Sequence, residues 1–354
     1  MRVKTVFVAM SGGFDSSFAA YLLKQSGYHV VGITFQLLPG SIINTKEPNA
    51  CCSTEAIGRA QRAAHHLSIP HYVINLREEF EQYVIEPFIK EYKSGKTPNP
   101  CIFCNRHIKF SSFAKKAFAM GAEKIATGHY AIVDEENGHY YLKKSIDKTK
   151  DQSYFLYPIE KELLKHTLFP LGRYNKKDIK EDAKNISWNI YAIKESQDIC
   201  FIPENDYRNF LSRYIQLKSG PVYFTDGTFL GNHNGIHFYT IGQRKGLKIP
   251  YGEPLYVVDI IPDENTLIVG SKENLKQKTI YASEVNLLYD ESYDVSGKVR
   301  YRQREEPCAY EVDHSTMRVE FVNPISSATP GQSVVLYHGD IIIGGGIIQK
   351  HIDK

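Results

Sequence analysis

Residues 10–17 read Met-Ser-Gly-Gly-Phe-Asp-Ser-Ser, and this stretch decides the fold of the first part of the chain. The apolar run Val6–Ala9 precedes it and predicts a buried strand. Phe18 and Leu22 follow at helical spacing, and Gly27 ends the predicted helix. Adjacent glycines between a strand and a helix let the backbone turn tightly and approach a ligand closely. The stretch therefore predicts a strand, a ligand-binding turn and a helix.

The chemistry of this turn suits an anion. Consecutive backbone N–H groups form an anion-binding concavity, and the helix N-terminus adds partial positive charge. Ser11, Ser16 and Ser17 offer hydroxyl donors. The Asp15 carboxylate would repel a phosphate unless a cation lay between them, and Mg²⁺ takes oxygen ligands and bridges phosphates. The stretch lacks the G-x-x-x-x-G-K-[ST] pattern, and an ordinary turn with a serine N-cap is the alternative without a function.

Composition bounds the class of protein. The chain has 354 residues, 42% hydrophobic and 23% charged, which is typical of a soluble globular protein with two or three domains. A formal net charge of +3 is too small to argue for nucleic acid by itself. We find no secretory signal and no apolar stretch long enough to span a bilayer, so we expect a cytoplasmic protein without a membrane partner.

Strand and helix patterns alternate up to about residue 205 and predict an α/β domain with a parallel sheet. The predicted strands after the first are Val30–Phe35, Pro70–Ile74 and Lys124–Thr127, and the predicted helices cover 53–67, 78–92 and 111–119. A hairpin turn is expected at 136–138. Ligands of such sheets bind beyond the carboxyl ends of the strands. We therefore expect Ser11–Ser17, Phe35, Gly128 and His129 around one crevice.

The pattern changes after residue 205. Following a last helix at 207–214, short alternating runs with turns at 225–227 and 233–235 predict a small β-rich domain over 206–276. Runs at 298–302, 317–321 and 333–337 predict a C-terminal antiparallel β-barrel over 277–354. The expected domains are therefore 1–205, 206–276 and 277–354.

The cysteines point to metal or redox chemistry more than to a disulfide framework. Cys101 and Cys104 form a C-x-x-C in what reads as a proline-bounded loop, which fits half a zinc site, a redox pair or ligands of an iron–sulfur cluster. The adjacent Cys51 and Cys52 suit a second zinc pair poorly. Cys308 is expected to be an inert buried thiol.

A series of motifs carries a family resemblance. In chain order they are Ser-Gly-Gly-x-Asp-Ser at 11–16, Asn-Pro-x-x-x-Cys-Asn at 99–105, Ala-Thr-Gly-His-Tyr at 126–130, Lys-Asp-Gln-Ser-Tyr-Phe-Leu at 150–156, Ile-Cys-Phe-Ile at 199–202 and Gly-Gln-Arg-Lys-Gly-Leu at 242–247. The series resembles the MnmA-type tRNA-specific 2-thiouridylases of the PP-loop ATP pyrophosphatase superfamily, over essentially the whole chain. The resemblance implies a PP-loop domain, a small central domain and a C-terminal β-barrel.

The resemblance also implies a reaction and its residues. Adenylation of O2 of the wobble uridine in the anticodon stem-loops of tRNAs for Lys, Glu and Gln would be followed by sulfur transfer from a persulfide on Cys200, with Cys104 as partner nucleophile and a disulfide as the end state. A sulfur-relay protein or a cysteine desulfurase would supply the sulfur. The implied ATP-binding residues are Ala9, Met10, Ser11, Gly12, Gly13, Phe14, Asp15, Ser16, Phe35 and Gly128.

The implied tRNA contacts cover three parts of the chain. Between residues 90 and 130, lysine and arginine outnumber carboxylates by eight to two, which concentrates positive charge around the C-x-x-C. His129, Tyr130 or Tyr301 could stack on a splayed base, although each is equally a core aromatic. The implied contacts are Asn99, Pro100, Cys101, His129, Lys150, Asp151, Gln152, Arg300, Tyr301 and Gln332.

Two alternatives stay open. The family often has aspartate where this chain has Cys101, so Cys101, Cys104 and Cys200 could instead hold a [4Fe–4S] cluster, as in related thiolases. Another PP-loop adenylating enzyme, or an RNA-binding module with a relict nucleotide loop, would not need Asp15 together with both Cys104 and Cys200.

Overall fold

The computed structural model describes residues 3–39, 54–185, 199–202, 206–289 and 294–350. Outside this part lie Cys51, Cys52, the predicted start of a helix at Ser53, and residues 186–198. The chain divides into two compact units, of which the first comprises Met1–Ile85, Pro100–Asp206 and Asp340–Ile342. The second comprises Glu86–Asn99, Tyr207–Gly339 and Ile343–Lys354. The division into domains at residues 205 and 276 stays a prediction.

The first unit is built on a parallel sheet, as predicted. Its strands lie in the order His71–Asn75, His29–Gln36, Thr5–Ala9, Lys124–Ala126 and Thr167–Leu168. The last strand was not predicted, because a strand of 2 residues is too short to show a period. Five adjacent carboxyl ends thus meet at one edge of the sheet.

The sheet is covered by helices whose apolar sides are buried. Phe14 and Phe18 of the first helix stack at 5.6 Å and are 3% and 2% exposed. The described α-helices of this unit are Phe14–Gln25, Thr54–His66, Arg77–Phe80, Pro100–Phe103, Phe113–Ala119, Lys161–Leu164 and Lys176–Asn185, with π-helices Glu81–Ile85 and Cys104–Ser112 and a 3₁₀ turn Ser153–Phe155. A hairpin of Ala131–Glu136 and His139–Lys144 turns at Asn137 and Gly138, as predicted.

Two helical predictions need correction. The helix predicted over 78–92 is divided, with the π-helix Glu81–Ile85 ahead of Glu86–Lys93. Pro87 has no N–H to donate to the Tyr83 carbonyl, so a regular α-helix cannot run through. The C-x-x-C segment predicted as a loop is helical from Pro100, since proline favours the first position of a helix as well as loops.

The second unit consists of two β-structures and short helices. Four strands form a sheet in the order Tyr256–Ile261, Thr266–Gly270, Gly220–Phe224 and Phe229–His233. Six strands form an antiparallel barrel in the order Lys276–Leu287, Thr316–Ser326, Glu306–Asp313, Val295–Lys298, Ser333–His338 and Ile341–Ile348, closed by pairing between the first and the last. The α-helices are Glu86–Lys93 and Tyr207–Ser212, with 3₁₀ turns Ile236–Phe238 and Glu273–Leu275. The β-rich domain and the barrel are thus confirmed.

One predicted barrel strand is wrong. The strand expected at 298–302 ends at Lys298, and the next residues form a turn in which Gln303 N donates to Arg300 O at 3.1 Å. The Val299 N–H donates to Gln303 Oε1 at 3.2 Å instead of to a neighbouring strand. Residues 298–302 have the alternating polar and apolar pattern of a strand, but a local hydrogen bond to a side chain replaces the backbone hydrogen bonds between strands.

Residues 86–99 are fixed within the second unit. Phe88 lies 6.2 Å from Phe210, and Tyr92 stacks on Tyr207 at 5.9 Å, ring centre to ring centre. Thr97 N donates to Pro330 O at 2.9 Å, and Gln332 Nε2 donates to Thr97 O at 2.7 Å. Both backbone polar groups of Thr97 are thus held by the barrel loop, a few residues before the first cysteine of the C-x-x-C.

Candidate active site

The glycine turn after the first strand is held by its own serines. Ser11 N donates to Ser16 Oγ at 3.1 Å, and Ser16 Oγ donates to Gly13 O at 3.2 Å. Gly12 has a φ of 71°, and a Cβ there would lie 2.2 Å from Ala56 O, so only glycine fits. The helix that follows has Gly13 as its N-cap and no side-chain cap. Its first N–H groups are therefore available to an anion.

Asp15 has a cationic partner within the protein. Its Oδ1 accepts a hydrogen bond from Tyr130 OH at 2.8 Å and forms an ion pair with Lys176 Nζ. The Lys176 ammonium also lies 4.6 Å above the Phe14 ring. We expected Mg²⁺ beside Asp15 from the sequence, and the fold places the Lys176 ammonium there, on a side chain that is only 6% exposed.

Lys176 is the site residue that sequence reasoning missed. It lies 161 residues from Asp15 in the chain and begins the helix Lys176–Asn185. Its backbone N donates to Asp147 Oδ2 at 3.0 Å. Burial alone would raise the pKa of Asp147, but hydrogen bonds from the Thr149 side chain and from backbone N–H groups lower it. Lys176 belongs to no local motif, so only the fold reveals it.

Gly128 allows a close approach between two loops. A Cβ at this position would lie 2.7 Å from Ser16 N, 2.8 Å from Asp15 C and 2.9 Å from Ser16 Cα. All three are backbone atoms of the helix that follows the glycine turn, and they cannot move aside as a side chain can. The loop after the strand Lys124–Ala126 therefore packs directly against the glycine turn. From the sequence we expected these two loops to lie around one crevice.

His129 lines the cavity and is held through both ring nitrogens and by two phenylalanine rings. Its Nδ1 lies 2.7 Å from Thr127 Oγ1, and its Nε2 lies 3.3 Å from Lys109 Nζ. The ring centre lies 6.2 Å from that of Phe110 and 6.0 Å from that of Phe169. Burial, and secondarily the charge of Lys109, holds the pKa of His129 well below its ordinary value. His129 is therefore a neutral imidazole, and its part in stacking on a base stays a prediction.

One cavity of about 310 Å³ joins the glycine turn to the cysteines. It opens at the carboxyl ends of the parallel strands, where the sequence predicted the site. The lining residues are Ala9, Met10, Ser11, Asp15, Ser16, Phe35, Leu37, Phe80, Val84, Pro100, Cys101, Cys104, Lys109, Thr127, Gly128, His129, Gln152, Ile199, Cys200 and Phe201. The glycine turn and three cysteines therefore line the same cavity.

The cysteines differ in environment. Cys101 is exposed, Cys104 is buried and Cys200 is partly buried. In the part of the chain that the structure describes, no group of three His, Cys, Asp or Glu side chains is arranged to hold a metal ion. The alternative in which Cys101, Cys104 and Cys200 hold a [4Fe–4S] cluster stays a prediction. Burial raises the pKa of the Cys308 thiol to about 12, which agrees with an inert cysteine.

Several predicted residues of the first unit serve the fold. Asp151 is 7% exposed and accepts hydrogen bonds from Ser145 N at 3.0 Å and from Ser153 Oγ at 2.7 Å. Gln152 lines the cavity while its Oε1 accepts a bond from Tyr130 N at 3.0 Å. Lys150 is half-buried beside them. The roles of these residues in binding tRNA stay predictions.

Four further predicted contacts belong to the second unit: Asn99, Arg300, Tyr301 and Gln332. Arg300 Nη2 donates to Ile241 O at 2.9 Å and to Thr329 Oγ1 at 2.8 Å, and it thereby links two loops, one before the strand Tyr256–Ile261 and one before the strand Ser333–His338. Gln332 holds Thr97 as described above. Tyr301 is half-buried in the turn after the strand Val295–Lys298. Their contact with tRNA likewise stays a prediction.

The chain matches family models along nearly its whole length. Residues 4–204 match a tRNA methyl transferase HUP domain. Residues 208–271 match a tRNA methyl transferase PRC-barrel domain, and residues 277–348 match an aminomethyltransferase beta-barrel domain. In the described residues, no helix is both long and apolar enough to cross a membrane.

Curated relatives agree with these models. The chain is 45% identical over 358 residues to the tRNA-specific 2-thiouridylase MnmA of Clostridioides difficile, a match that covers 99% of each protein. It is 45% identical to the enzyme of the same name from Halothermothrix orenii and 44% identical to that of Clostridium acetobutylicum, and each match covers 98% of this chain and 99% of the relative. The chain therefore belongs to the MnmA family of tRNA-specific 2-thiouridylases.

Proposed function

We propose that this chain is an ATP-dependent tRNA-uridine 2-sulfurtransferase. It adenylates O2 of the wobble uridine in tRNAs for Lys, Glu and Gln and replaces that oxygen with sulfur from a cysteine persulfide. The observation that carries the proposal is the single cavity lined by Ser11, Asp15 and Ser16 at the glycine turn and by Cys104 and Cys200. Family membership supports the same reaction.

The first step uses ATP because a carbonyl oxygen is a poor leaving group. The uridine O2 attacks the α-phosphorus, an O–P bond forms, and the bond to the β-phosphate breaks with release of pyrophosphate. The uncapped helix start after Gly13 and the Ser11 and Ser16 hydroxyls bind the phosphates. Lys176, held against Asp15, offsets the negative charge of that carboxylate beside the phosphates.

The second step replaces the activated oxygen. The outer sulfur of a Cys200 persulfide attacks C2, the C2–O bond breaks, and AMP leaves with the original oxygen. The Cys104 thiolate then attacks Cys200 Sγ and breaks the S–S bond to the transferred sulfur. That sulfur is reduced as the two cysteines are oxidised to a disulfide, which a cellular thiol must reduce before the next cycle. Two cysteines facing one cavity are therefore required.

The partners follow from this chemistry. The tRNA would present a splayed wobble base, as single-stranded loops do when proteins read them. The sulfur would arrive from a cysteine desulfurase or a relay protein, because free sulfide is scarce. We keep Asn99–Cys101, His129, Lys150–Gln152, Arg300–Tyr301 and Gln332 as the proposed tRNA contacts.

Mg²⁺ would enter with ATP. Asp15 Oδ1 is engaged by Tyr130 and Lys176, and among the described residues Oδ2 remains open to a cation. When bound, the metal would neutralise phosphate charge and orient the pyrophosphate leaving group. No step of the proposed reaction passes through an iron–sulfur cluster.

The reaction can be tested with purified protein, ATP, Mg²⁺, a cysteine desulfurase, cysteine, a thiol reductant and an unmodified tRNA transcript. Mass analysis of nucleosides should find 2-thiouridine, with AMP and pyrophosphate as co-products. Asp15→Ala, Cys104→Ser and Cys200→Ser should each abolish thiolation, and Cys308→Ser is the matched control. ADP and phosphate as products would contradict the proposal, as would an active Cys200→Ser protein.

Cys101 separates the persulfide route from a cluster route. In the persulfide route it is a neighbour that at most tunes a thiol pKa, so Cys101→Ala should keep substantial activity in iron-free protein. The measurement is thiolation after anaerobic purification, with iron and sulfide content determined before and after reconstitution. Activity that required reconstitution, and vanished in Cys101→Ala, would refute the persulfide relay.

A further inference from the structure

Lys109 is a cationic residue that lines the cavity and has no role in the two proposed reaction steps. It lies in the π-helix Cys104–Ser112 and lines the same cavity as Cys104 and Gly128. In an α-helix, residues five apart point about 140° away from each other. In a π-helix the hydrogen bonds run from residue i to i+5, so such residues are one turn apart on the same side. The π-helical winding thus lets Cys104 and Lys109 face one space.

His129 sets the direction of the Lys109 ammonium. An ammonium has donors only, so the Nε2 that lies 3.3 Å from Lys109 Nζ must accept. Nδ1 then carries the proton and donates to Thr127 Oγ1 at 2.7 Å. The low pKa of His129 agrees with this neutral tautomer. A neutral ring fixed between Phe110 and Phe169 therefore holds a charged lysine without neutralising it.

The Lys109 ammonium has N–H groups to spare. Within the described ranges it forms no ion pair, whereas Lys176 is already paired with Asp15. One of its three donors faces His129, which leaves the others for an anion in the cavity. Lys109 lines the same cavity as the glycine turn and the thiols, and Gly128, which precedes His129, packs against the backbone of Asp15 and Ser16.

We propose that Lys109 is a catalytic residue that contacts the phosphate of the adenylated uridine and stabilises AMP as it leaves; this rests on the proposed function. The charge on that phosphate does not grow during adenylation, since both ATP and the adenylate carry one charge there. It grows when the C2–O bond breaks, because AMP is a phosphomonoester with a charge of about −2 at neutral pH. A fixed cation acts on the step in which charge develops. His129 is then the positioning residue of Lys109.

The test separates the two steps in Lys109→Gln. Pyrophosphate release in a single turnover without a sulfur donor should stay within about threefold of the wild type, while AMP release and 2-thiouridine formation with the donor should fall about 10²–10³-fold. Adenylated tRNA should accumulate. Lys109→Arg should recover part of the loss, and the exposed Lys177→Gln is the matched control for removing one lysine. If Lys109→Gln does not unfold cooperatively, Lys109→Met takes its place.

Several outcomes would overturn the proposal. A rate of 2-thiouridine formation in Lys109→Gln within threefold of the wild type would do so. Equal decreases in the rates of pyrophosphate release and 2-thiouridine formation would also do so, because they would assign Lys109 to nucleotide or tRNA binding. A loss that disappears at pH 9 would instead identify Lys109 as the group that ionises a thiol. If the wild type itself makes no 2-thiouridine, the proposed function fails, and this result is distinct from each of the others.

Discussion

Gly128→Ala tests whether the contact between the two loops builds the site. The added Cβ would lie 2.7 Å from Ser16 N and 2.8 Å from Asp15 C. Ordinary contacts of this kind begin near 3.4 Å, so the glycine turn or the Gly128 loop has to move by about 0.7 Å. No side chain can absorb this shift, because the opposing atoms are backbone.

The size of the effect follows from that shift. Forcing a methyl group into a packed region costs about 1–3 kcal/mol of unfolding free energy. For a unit of this size that lowers the melting temperature by about 2–12 °C. A misplacement of about 1 Å costs roughly 10²-fold in rate, so we expect pyrophosphate release to fall about 10- to 100-fold. The loss of activity should therefore be larger than the loss of folded protein can explain.

The assay compares Gly128→Ala with Gly58→Ala in the same unit. Gly58 lies within the helix Thr54–His66, and a Cβ there meets only the end of the Arg62 side chain at 3.4 Å. Alanine at this helix position should stabilise the protein by about 0.5–1 kcal/mol. Thermal unfolding, ATP-dependent pyrophosphate release and 2-thiouridine are measured for both. The reasoning is refuted if Gly128→Ala melts and reacts like the wild type.

Three shorter predictions follow from the site. Lys176→Met leaves Asp15 without its cation beside the phosphates, so pyrophosphate release should fall about 10²-fold, while the exposed Lys177→Gln should react normally. His129 stays neutral when folded but takes up a proton in the unfolded chain below about pH 6.5, so stability should fall from pH 7 to pH 5 by at most about 2 kcal/mol. His129→Gln should remove that part of the slope in urea unfolding. Cys308→Ser should keep thiolation within about twofold, and iodoacetamide should hardly label Cys308 in the folded protein.

The part of the site predicted from sequence rests on general rules of parallel sheets. Because ligands bind beyond the carboxyl ends of the strands, the order of the predicted strands is enough to expect Phe35 and Gly128 near Ser11. The sheet itself was predictable, since its longer strands are apolar runs separated by helices. These rules use only short-range pattern and topology, which the sequence displays directly.

The other features of the site depend on tertiary packing, which no local sequence pattern predicts. Lys176 reaches Asp15 from a distant helix, and nothing around it in sequence distinguishes it from the exposed Lys177. The side of the helix that Lys109 occupies depends on the π-helical winding, whereas an α-helical period would place it away from Cys104. The C-x-x-C segment was predicted as a loop because its prolines suit both a loop and a helix start.

The contacts of residues 86–99 within the second unit limit where this protein can be truncated. A fragment that stops at residue 205, where the sequence pattern changes, would retain Phe88 and Tyr92 but lose Tyr207, Phe210 and the loop that binds Thr97. Phe88 and Tyr92 are 0% and 7% exposed in the whole chain, so the fragment would present both to water. Excised alone, this fragment would be prone to self-association, and the helical segment that begins at Pro100 and carries Cys101 and Cys104 would follow a stretch without its hydrogen-bond partners.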